Sequence, residues 1–311
     1  MRHEITVLGA GVSGLTCAVL CAEQGRSVTI YAEEIGQATT SAVAAAIWFP
    51  YDAEPADAVI AWSLETYQIL RKLSADPASG VSMIELRSFA RTGELEIPAW
   101  AFPLGAAALS SAEVPPSFSS GYRLAVPLTD STRYLEYLTN RFRQAGGQIH
   151  PSRHFKNLGD VLGGSSLLVN CAGAGAQAVV PDPQVEPHRG QVVLVPPLDR
   201  SYAMVCDEPP LMYAIPRAAD GVFGATNDVS ASREPDPIAT AGIVAECSRA
   251  MQIEPPEILR VRVGLRPFRR GGICLRADRL ANGRRVIHNY GHGGSGFTLS
   301  WGCARAVAQL A

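Results

Sequence analysis

The chain has 311 residues, of which 47% are hydrophobic and 18% charged; this composition excludes a disordered chain, and the length allows two domains. Its 27 lysines and arginines nearly balance its 29 aspartates and glutamates, and the net charge of -2 argues against nucleic acid or an anionic membrane surface as a partner bound by charge. No apolar run reaches about 18 residues, so we expect no membrane-spanning helix.

The amino-terminal segment has the pattern of a βαβ unit. A buried strand is predicted over Glu4 to Leu8, an apolar helix over Gly14 to Gln24, and a strand rich in β-branched residues over Ser27 to Tyr31. The turn between the first strand and the helix has the spacing GxGxxG, and two carboxylates follow the second strand, Glu33 and Glu34. Because the motif stands between a strand and a helix, it predicts a dinucleotide-binding turn.

The residues of this turn suit a dinucleotide in distinct ways. Gly9 is expected to make the tight turn, Gly11 to let the backbone approach a pyrophosphate, and Gly14 to let the helix pack closely on the strand. The helix N-terminus offers N–H groups and a positive dipole end to the phosphates. Glu33 is expected to bind both ribose hydroxyls, which disfavours NADP. The motif, Gly9-Ala10-Gly11-Val12-Ser13-Gly14, does not separate FAD from NAD.

Residues 39–47 form a stretch of small residues that ends shortly before Pro50. Hydroxyls and small side chains would let backbone approach a phosphate or a ring. The same pattern is typical of a helix start with capping hydroxyls. The spacing alone favours neither interpretation. The residues that would line a ligand are Thr39, Thr40, Ser41, Ala44, Ala45, Ala46 and Ile47.

Seven cysteines are scattered along the chain without a CxxC pair, which removes the commonest zinc and thioredoxin-like signatures. Cys17 and Cys21 lie one helical turn apart, where a metal pair is conceivable but two small buried thiols are favoured. We therefore expect no metal site and a reducing, cytoplasmic location.

The middle of the chain carries weaker signals. Residues 57–73 predict a helix, whereas prolines at 98, 103, 115 and 116 break any long element between residues 76 and 125. The remaining predicted elements are a helix over Thr129–Gln144 capped by Asp130 or Ser131, strands over Ser165–Asn170 and Gln191–Val195, a hairpin of Tyr213–Pro216 with Gly221–Ala225, and a helix over Thr240–Met251.

A strand over Val286 to Asn289 runs into a glycine-rich turn, followed by a final helix from Thr298. This is a second place where backbone approaches a ligand and a helix N-terminus points at it. A helix N-terminus would stabilise the negative charge that the pyrimidine end of a flavin gains on reduction, which favours FAD over NAD. His288 and His292 are candidate acid–base groups, although structural hydrogen bonding is the favoured interpretation.

Strands of parallel-sheet type therefore occur at three separated places, near the N-terminus, at about 165–170 and at about 286–289. A domain built from separated segments implies a second domain inserted between them. We predict an α/β fold (α+β overall) with a Rossmann-like FAD-binding domain from residues 1–50, 131–185 and 281–311, and a substrate-binding domain with a mixed β-sheet from residues 51–130 and 186–280.

Two residues outside the glycine motifs are candidates for binding a polar ligand. Arg266 precedes Pro267, and an arginine held in this way makes a rigid fork for a carboxylate; a solvated basic loop is the alternative. Tyr213 lies in a predicted strand and either presents its hydroxyl to a ligand or is an ordinary strand tyrosine.

In this order, the motifs resemble those of the D-amino-acid oxidase family of flavoenzymes over nearly the whole chain. The segment Val286–Ala304 looks like that family's signature, and similar family residues match Thr39–Tyr51, Val169–Gly173, Arg189-Gly190-Gln191 and Arg266-Pro267. The resemblance implies hydride transfer from the Cα of a D-amino acid to flavin N5, and hydrolysis of the imino acid to a 2-oxo acid and ammonia. It also implies that molecular oxygen reoxidises the flavin and yields hydrogen peroxide, and it is compatible with a homodimer.

The resemblance also implies roles for individual residues. Arg266 matches the arginine that pairs with the substrate carboxylate, Tyr213 the tyrosine that touches the same carboxylate, and Gly294 the glycine whose carbonyl accepts from the substrate amine. The implied FAD contacts are Gly9, Ala10, Gly11, Val12, Ser13, Gly14, Glu33, Glu34, Thr39, Thr40, Ser41, Ala44, Ala45, Ala46, Ile47, Arg153, Cys171, Ala172, Gly173, Gly291, Gly293, Gly294, Ser295, Gly296, Phe297 and Thr298.

One departure from the family concerns a lid. Mammalian members have a second active-site tyrosine four residues before the position of Tyr213, where this chain has Pro209, which implies a shorter or stiffer lid. Arg217 and Arg269 are further cations that could select a side-chain carboxylate. The alternatives are therefore a related flavin amine oxidase acting on glycine, sarcosine or an acidic D-amino acid, a non-catalytic FAD-binding protein and an NAD-dependent dehydrogenase.

Overall fold

The computed structural model describes residues 4–51, 53–162 and 165–311. The helices in these ranges are α1 (Val12–Glu23), α2 (Thr40–Val43), α3 (Ala56–Leu73), α4 (Ser131–Gln144), α5 (Ala176–Val179), α6 (Pro237–Met251) and α7 (Gly296–Leu310). The strands are β1 (Glu4–Leu8), β2 (Ser27–Tyr31), β3 (Val81–Ala90), β4 (Ala107–Ala108), β5 (Ser120–Thr129), β6 (Gln148–His150), β7 (Leu167–Asn170), β8 (Val185–Val195), β9 (Tyr202–Cys206), β10 (Met212–Pro216), β11 (Gly221–Gly224), β12 (Asp228–Val229), β13 (Arg260–Arg269), β14 (Cys274–Arg279) and β15 (Arg285–Tyr290).

A six-stranded sheet joins three separated parts of the chain, as predicted. Its order is β14-β15-β7-β1-β2-β6. The neighbours from β15 to β6 run parallel, and only β14 at the edge is antiparallel to its neighbour. All four residues of β7 are buried, as expected for a strand covered on both faces. The carboxyl ends of β1, β2, β7 and β15 therefore meet along one edge.

The second sheet is mixed and has nine strands. Its main path is β12-β8-β11-β10-β9-β3-β5-β4, and β13 pairs with β8 beside that path. The hairpin of β10 with β11 is confirmed. The expectation of no long element between residues 76 and 125 is wrong, because β3 and β5 pair there along ten residues each. The prolines at 98, 103, 115 and 116 lie in the connection between these two strands, so they break neither of them.

The predicted helices are confirmed with small shifts at their ends. The Asp130 carboxylate accepts hydrogen bonds from the backbone N–H groups of Thr132 and Arg133 at the start of α4. Of the two predicted candidates, Asp130 is therefore the N-cap residue and Ser131 is not. Helix α6 begins three residues before its predicted start, because Asp236 caps it and Pro237 occupies its first position. An Asp-Pro pair at this place is a start signal that could have been read from the sequence. No helix within the described ranges is long and apolar enough to cross a bilayer.

The division into two domains stays a prediction. Two elements from the segments predicted for the substrate domain lie against the six-stranded sheet and its helices. β14 is the edge strand of that sheet, and α3 packs on α7 so closely that a Cβ added to Gly302 would lie 2.3 Å from the carbonyl oxygen of Trp62. Cys17 and Cys21 are free, buried thiols, as favoured from their spacing.

Candidate active site

A cavity of about 480 Å³ runs between the two sheets. Its walls include Leu8 at the end of β1 and Asn289 near the end of β15, together with Val192 of β8 and Tyr213 of β10. The cavity therefore opens at the carboxyl ends of the parallel strands, the place where open α/β sheets bind their ligands. We call it the main cleft.

The glycine turn after β1 is built as the sequence predicts. Gly9 has a φ of +104°, and a Cβ at this position would lie 2.3 Å from the carbonyl oxygen of Cys171, so only glycine fits. A Cβ on Gly14 would lie 2.0 Å from the carbonyl oxygen of Gly9. Gly14 thus lets α1 pack on the turn and lies outside the lining of the main cleft, whereas Gly9 and Gly11 line it.

Two helix N-termini face the main cleft. Helix α1 begins at Val12 after Gly11, and α7 begins at Gly296 after Ser295; neither N-cap residue makes a side-chain capping hydrogen bond. Val12 and Gly296 both line the cleft. The N–H of Val12 is already bonded to the hydroxyl of Ser41. Because the other N–H groups of a first helical turn and the helix dipole favour negative charge, the cleft has two separate places suited to anionic groups.

The stretch 39–47 contributes one wall of the cleft, whereas the interpretation as capping hydroxyls is wrong for Thr39, which makes no side-chain cap hydrogen bond at the start of α2. The Thr39 hydroxyl donates to the carbonyl of Gly36 at 2.7 Å, directly before the short helix α2. The Ser41 hydroxyl accepts from the N–H of Val12 at 3.0 Å, which ties this wall to the start of α1. The predicted members that line the cleft are Thr39, Thr40, Ser41, Ala44, Ala45, Ala46 and Ile47.

The acidic pair after β2 lies at one end of the cleft and is already engaged by basic side chains. Glu33 accepts from the Nδ1 of His154 at 3.1 Å, and Glu34 from a guanidinium nitrogen of Arg233 at 3.0 Å. No sequence motif marks His154 or Arg233, because they lie about 120 and 200 residues from Glu33 and Glu34 along the chain. Arg153 lines the same end.

The glycine-rich turn before α7 lies at the other end of the cleft. Gly293, Gly294, Gly296, Phe297 and Thr298 line it, whereas Gly291 and Ser295 do not. The hydroxyl of Ser295 instead donates to the carbonyl of Tyr51 at 2.6 Å, and a Cβ on Gly291 would press on the side chain of Arg269. These two residues therefore shape the turn.

Both histidines of this segment make buried hydrogen bonds. His292 donates through Nε2 to the side-chain oxygen of Asn289 at 3.0 Å, and His288 bonds Asn170 at 3.3 Å. Burial lowers the pKa of His292 to about 4 and, together with the charge of Arg276, lowers the pKa of His288. Neutral, hydrogen-bonded rings fit the structural interpretation, although His292 also lines the cleft.

This burial predicts acid sensitivity. The unfolded chain protonates His292 near pH 6.5, but the folded protein does so only near pH 4. The stabilisation is therefore complete above pH 6.5 and is lost as the pH falls through 4, by about 3 kcal/mol. Urea unfolding at pH 7 and pH 5, with FAD in excess, measures the change. We expect His292→Gln to flatten the pH dependence; a slope equal to that of the unsubstituted protein contradicts the assignment.

The two residues predicted to bind a carboxylate lie together in the cleft. Arg266 donates through Nη1 to the backbone carbonyl of Thr226 at 2.7 Å and to the side-chain oxygen of Asn227 at 3.3 Å. Burial raises the pKa of the Tyr213 hydroxyl to about 12, although the neighbouring charge of Arg266 opposes the shift. Arg266 is thus oriented by uncharged acceptors, and Tyr213 stays a neutral donor.

Two glycines make room for these side chains. A Cβ on Gly190 would lie 2.5 Å from the Cζ of Arg266, and a Cβ on Gly224 would lie 2.2 Å from the Cζ of Tyr213. Contacts this short do not occur, so the guanidinium and the phenol ring lie over bare backbone. Gly190 and Gly224 are therefore positioning residues. No motif marked Gly224, and Gly190 lies in a segment that resembles the family but had no expected role.

Gly190→Ala is expected to displace the Arg266 guanidinium and lower kcat/KM by about 10- to 100-fold, mainly through KM, while FAD content stays normal. Steady-state kinetics with the flavin absorbance as a control measure both quantities. Gly242→Ala is the matched control, because a Cβ on Gly242 meets nothing within 4 Å. Unchanged kinetics in Gly190→Ala would mean that the position of Arg266 does not matter.

Tyr51 and Asn227 are cleft residues that sequence reasoning missed. Both line the cleft, and the Tyr51 hydroxyl lies 2.6 Å from the place that a Cβ on Gly294 would occupy. Tyr51 closely follows the small-residue stretch that was singled out, so its position was a usable signal. Asn227 follows β11 in an irregular segment, where no motif marked it.

The remaining sequence expectations concern the rim of the cleft. Residues 207–211 form a short connection between β9 and β10, in line with a shorter lid. The interpretation of Arg217 and Arg269 as selectors of a substrate carboxylate is wrong. Arg217 pairs with Asp220 at 2.7 Å and Arg269 with Asp182 at 2.9 Å, and neither lines the main cleft.

The other predicted cofactor residues, Ala10, Val12, Ser13, Cys171, Ala172 and Gly173, also line the main cleft. The cleft thus brings the three glycine-rich segments and the carboxylate-binding pair into one space. The separate motifs could bind one ligand only if the fold brought them together, and the cleft does so. The roles of the individual residues toward a cofactor or a substrate stay predictions.

Comparison with known proteins places this geometry among flavoenzymes. Residues 4–310 match the family model described as DAO, FAD dependent oxidoreductase. D-amino-acid oxidases of Rubrobacter xylanophilus and Streptomyces coelicolor are 39% and 38% identical to the chain, covering 98% and 99% of it and 94% and 96% of their own lengths. The crystal structure of a glycine oxidase from Bacillus cereus superposes with a TM-score of 0.81 at 16% identity, covering 99% of this chain and 94% of that one.

Proposed function

The chain belongs to the DAO family of FAD-dependent oxidoreductases, and on this premise we propose that it oxidises D-amino acids to 2-oxo acids, ammonia and hydrogen peroxide. The observation that carries the proposal is the pair of Arg266 and Tyr213 in the main cleft. A guanidinium and a neutral phenol side by side suit one carboxylate. The names of the relatives support the D-isomer as substrate.

The residues of the cleft fit FAD. The bare backbone at Gly9 and Gly11 and the N-terminus of α1 suit the pyrophosphate, and Glu33 suits the ribose hydroxyls. Gly293, Gly294 and the N-terminus of α7 suit the pyrimidine end of the flavin. When bound, FAD supplies the acceptor for the hydride of the substrate Cα, and molecular oxygen takes up the electrons to give hydrogen peroxide.

The chain's own contribution is to bind and orient the amino acid. Arg266 and Tyr213 would hold its carboxylate, and the carbonyl of Gly294 would accept a hydrogen bond from its amine, so that the Cα–H bond is aimed at the cofactor. The titratable groups close to this pair support a role without proton abstraction. Burial lowers the pKa of His292 to about 4, which makes its ring a weak base, and Tyr213 keeps its proton because its pKa is raised to about 12.

A spectrum of the purified protein tests the proposal. We expect the absorbance of oxidised flavin, which D-alanine or D-methionine bleaches without oxygen and the L-isomers do not. Flavin that only glycine or sarcosine bleaches would support the alternative amine oxidase, and D-glutamate alone would support an acidic-substrate enzyme. Flavin that no amine reduces would contradict an enzymatic role and support a non-catalytic FAD-binding protein.

We also propose a cytoplasmic location. Seven cysteines that are all free and buried support a reducing compartment. A homodimer stays a prediction, which the molecular mass of the protein in solution tests.

A further inference from the structure

A second cavity, of about 590 Å³, lies outside the main cleft and is rich in arginine. Arg260 and Arg262 come from β13 and Arg217 from the end of the β10 hairpin strand, and Gln37 and Thr132 contribute polar groups. No residue of this cavity lines the main cleft. We call it the arginine cavity.

The carboxylates of the arginine cavity already have partners. Asp220 is held by both donors of the Arg217 fork, at 2.7 and 2.8 Å. Asp130 accepts from the backbone N–H groups of Thr132 and Arg133. Neither carboxylate forms an ion pair with Arg260 or Arg262, although the nearby charge of Asp220 partly offsets that of Arg262.

The side chains of Arg260 and Arg262 have no hydrogen-bond or ion-pair partner among residues 4–51, 53–162 and 165–311. They stand two residues apart on one strand, so both side chains leave the same face of the sheet. Burial of Arg262 and the nearby charges of Arg217 and Arg260 lower its pKa. A half-buried cation beside two others is unfavourable in an empty cavity and becomes favourable when an anion is bound.

The polar groups of the cavity add further donors. The Thr132 hydroxyl donates to the side-chain oxygen of Gln37 at 3.1 Å, which leaves the amide N–H groups of Gln37 to donate elsewhere. Guanidinium groups bind phosphate oxygens through paired hydrogen bonds. The lining contains three arginines and two aspartates, so its net charge is positive and attracts an anion.

We propose that the arginine cavity is a binding site for a phosphate-type oxyanion, held by Arg260 and Arg262 with Gln37 opposite. The anion is inorganic phosphate or the phosphate of a small phosphomonoester, since both present the same oxygens. The site stands apart from the proposed oxidase reaction, and its test does not depend on that activity.

The test is a calorimetric titration of the FAD-saturated protein with inorganic phosphate and, separately, with glycerol phosphate, at constant ionic strength set by sodium chloride. We expect saturable binding of one equivalent, weakened about tenfold by Arg262→Gln and also weakened by Arg260→Gln. Arg260 is exposed, so its substitution keeps the test valid if the other variant fails to fold. Tighter binding of the ester than of phosphate identifies an ester as the ligand, and equal binding identifies phosphate itself.

Two controls separate this site from the rest of the molecule. Arg276→Gln removes an arginine whose side chain is 68% exposed on the edge strand β14 and should leave binding unchanged. Arg266→Leu removes the arginine of the main cleft and should also leave it unchanged. Binding that is lost in Arg266→Leu but kept in Arg260→Gln and Arg262→Gln would overturn the proposal, as would the absence of saturable binding.

Discussion

Arg266→Leu is expected to abolish most oxidation of D-amino acids while the protein keeps its FAD. The substitution removes the charge that would hold the substrate carboxylate and leaves that carboxylate unpaired in a partly enclosed cleft. Truncating one partner of such a charge pair costs about 2 to 5 kcal/mol, so kcat/KM should fall by about 30- to 5,000-fold. Steady-state kinetics and the flavin absorbance of the same preparation measure both effects.

The structure offers a graded series around this residue. Arg266→Lys keeps the charge but loses the planar guanidinium that Thr226 and Asn227 orient by hydrogen bonds. Its decrease in kcat/KM should therefore be intermediate. Arg270→Leu is the matched control, because Arg270 lies on the same strand end but pairs with Glu186 at the surface and does not line the main cleft. Equal activity of Arg266→Leu and Arg270→Leu would sink the assignment of the carboxylate site.

The parts of the site that could be predicted are those formed by short, continuous sequence motifs. The turn at Gly9 and the turn at Gly293 are each set by a local strand–glycine–helix pattern, and both line the cleft. Their close backbone contacts, such as the one between Gly9 and Cys171, follow from parallel strand pairing that three apolar segments already implied. Local pattern and sheet topology agree here, which made the prediction reliable.

The parts that the sequence did not predict depend on pairing between distant strands. Gly190 faces the Arg266 guanidinium because β8 and β13 pair in one particular register, and no local pattern encodes that register. The same reason explains why the interpretation of Arg269 as a free cation is wrong, because only the folded chain brings Asp182 to it. Arg217 is different, since its partner Asp220 lies only three residues away and the sequence could have indicated this pair.

The second large effect that we expect is a loss of FAD affinity when helix α1 is displaced from the glycine turn after β1. Gly14→Ala is expected to deprive the protein of most of its FAD, because the added Cβ would lie 2.0 Å from the carbonyl oxygen of Gly9. Helix α1 must then move away from the turn, and its N-terminus moves with it. Overpacking of this kind costs about 1 to 3 kcal/mol, and we expect the Kd for FAD to rise at least about tenfold, as measured by flavin fluorescence titration of the apoprotein.

Helix α1 also belongs to the core, so a loss of FAD in Gly14→Ala could come from a disturbed fold. Two measurements separate the fold from the cofactor site. Circular dichroism of Gly14→Ala reports whether the helix survives, and Gly242→Ala shows the effect of the same substitution where nothing lies within 4 Å. Ser41→Ala provides a milder change at the same helix end, since it removes the acceptor of the Val12 N–H without adding bulk. If Gly14→Ala is folded and binds FAD as tightly as Gly242→Ala does, the N-terminus of α1 does not hold the pyrophosphate. A graded loss, larger in Gly14→Ala than in Ser41→Ala, would instead tie FAD affinity to the position of this one helix end.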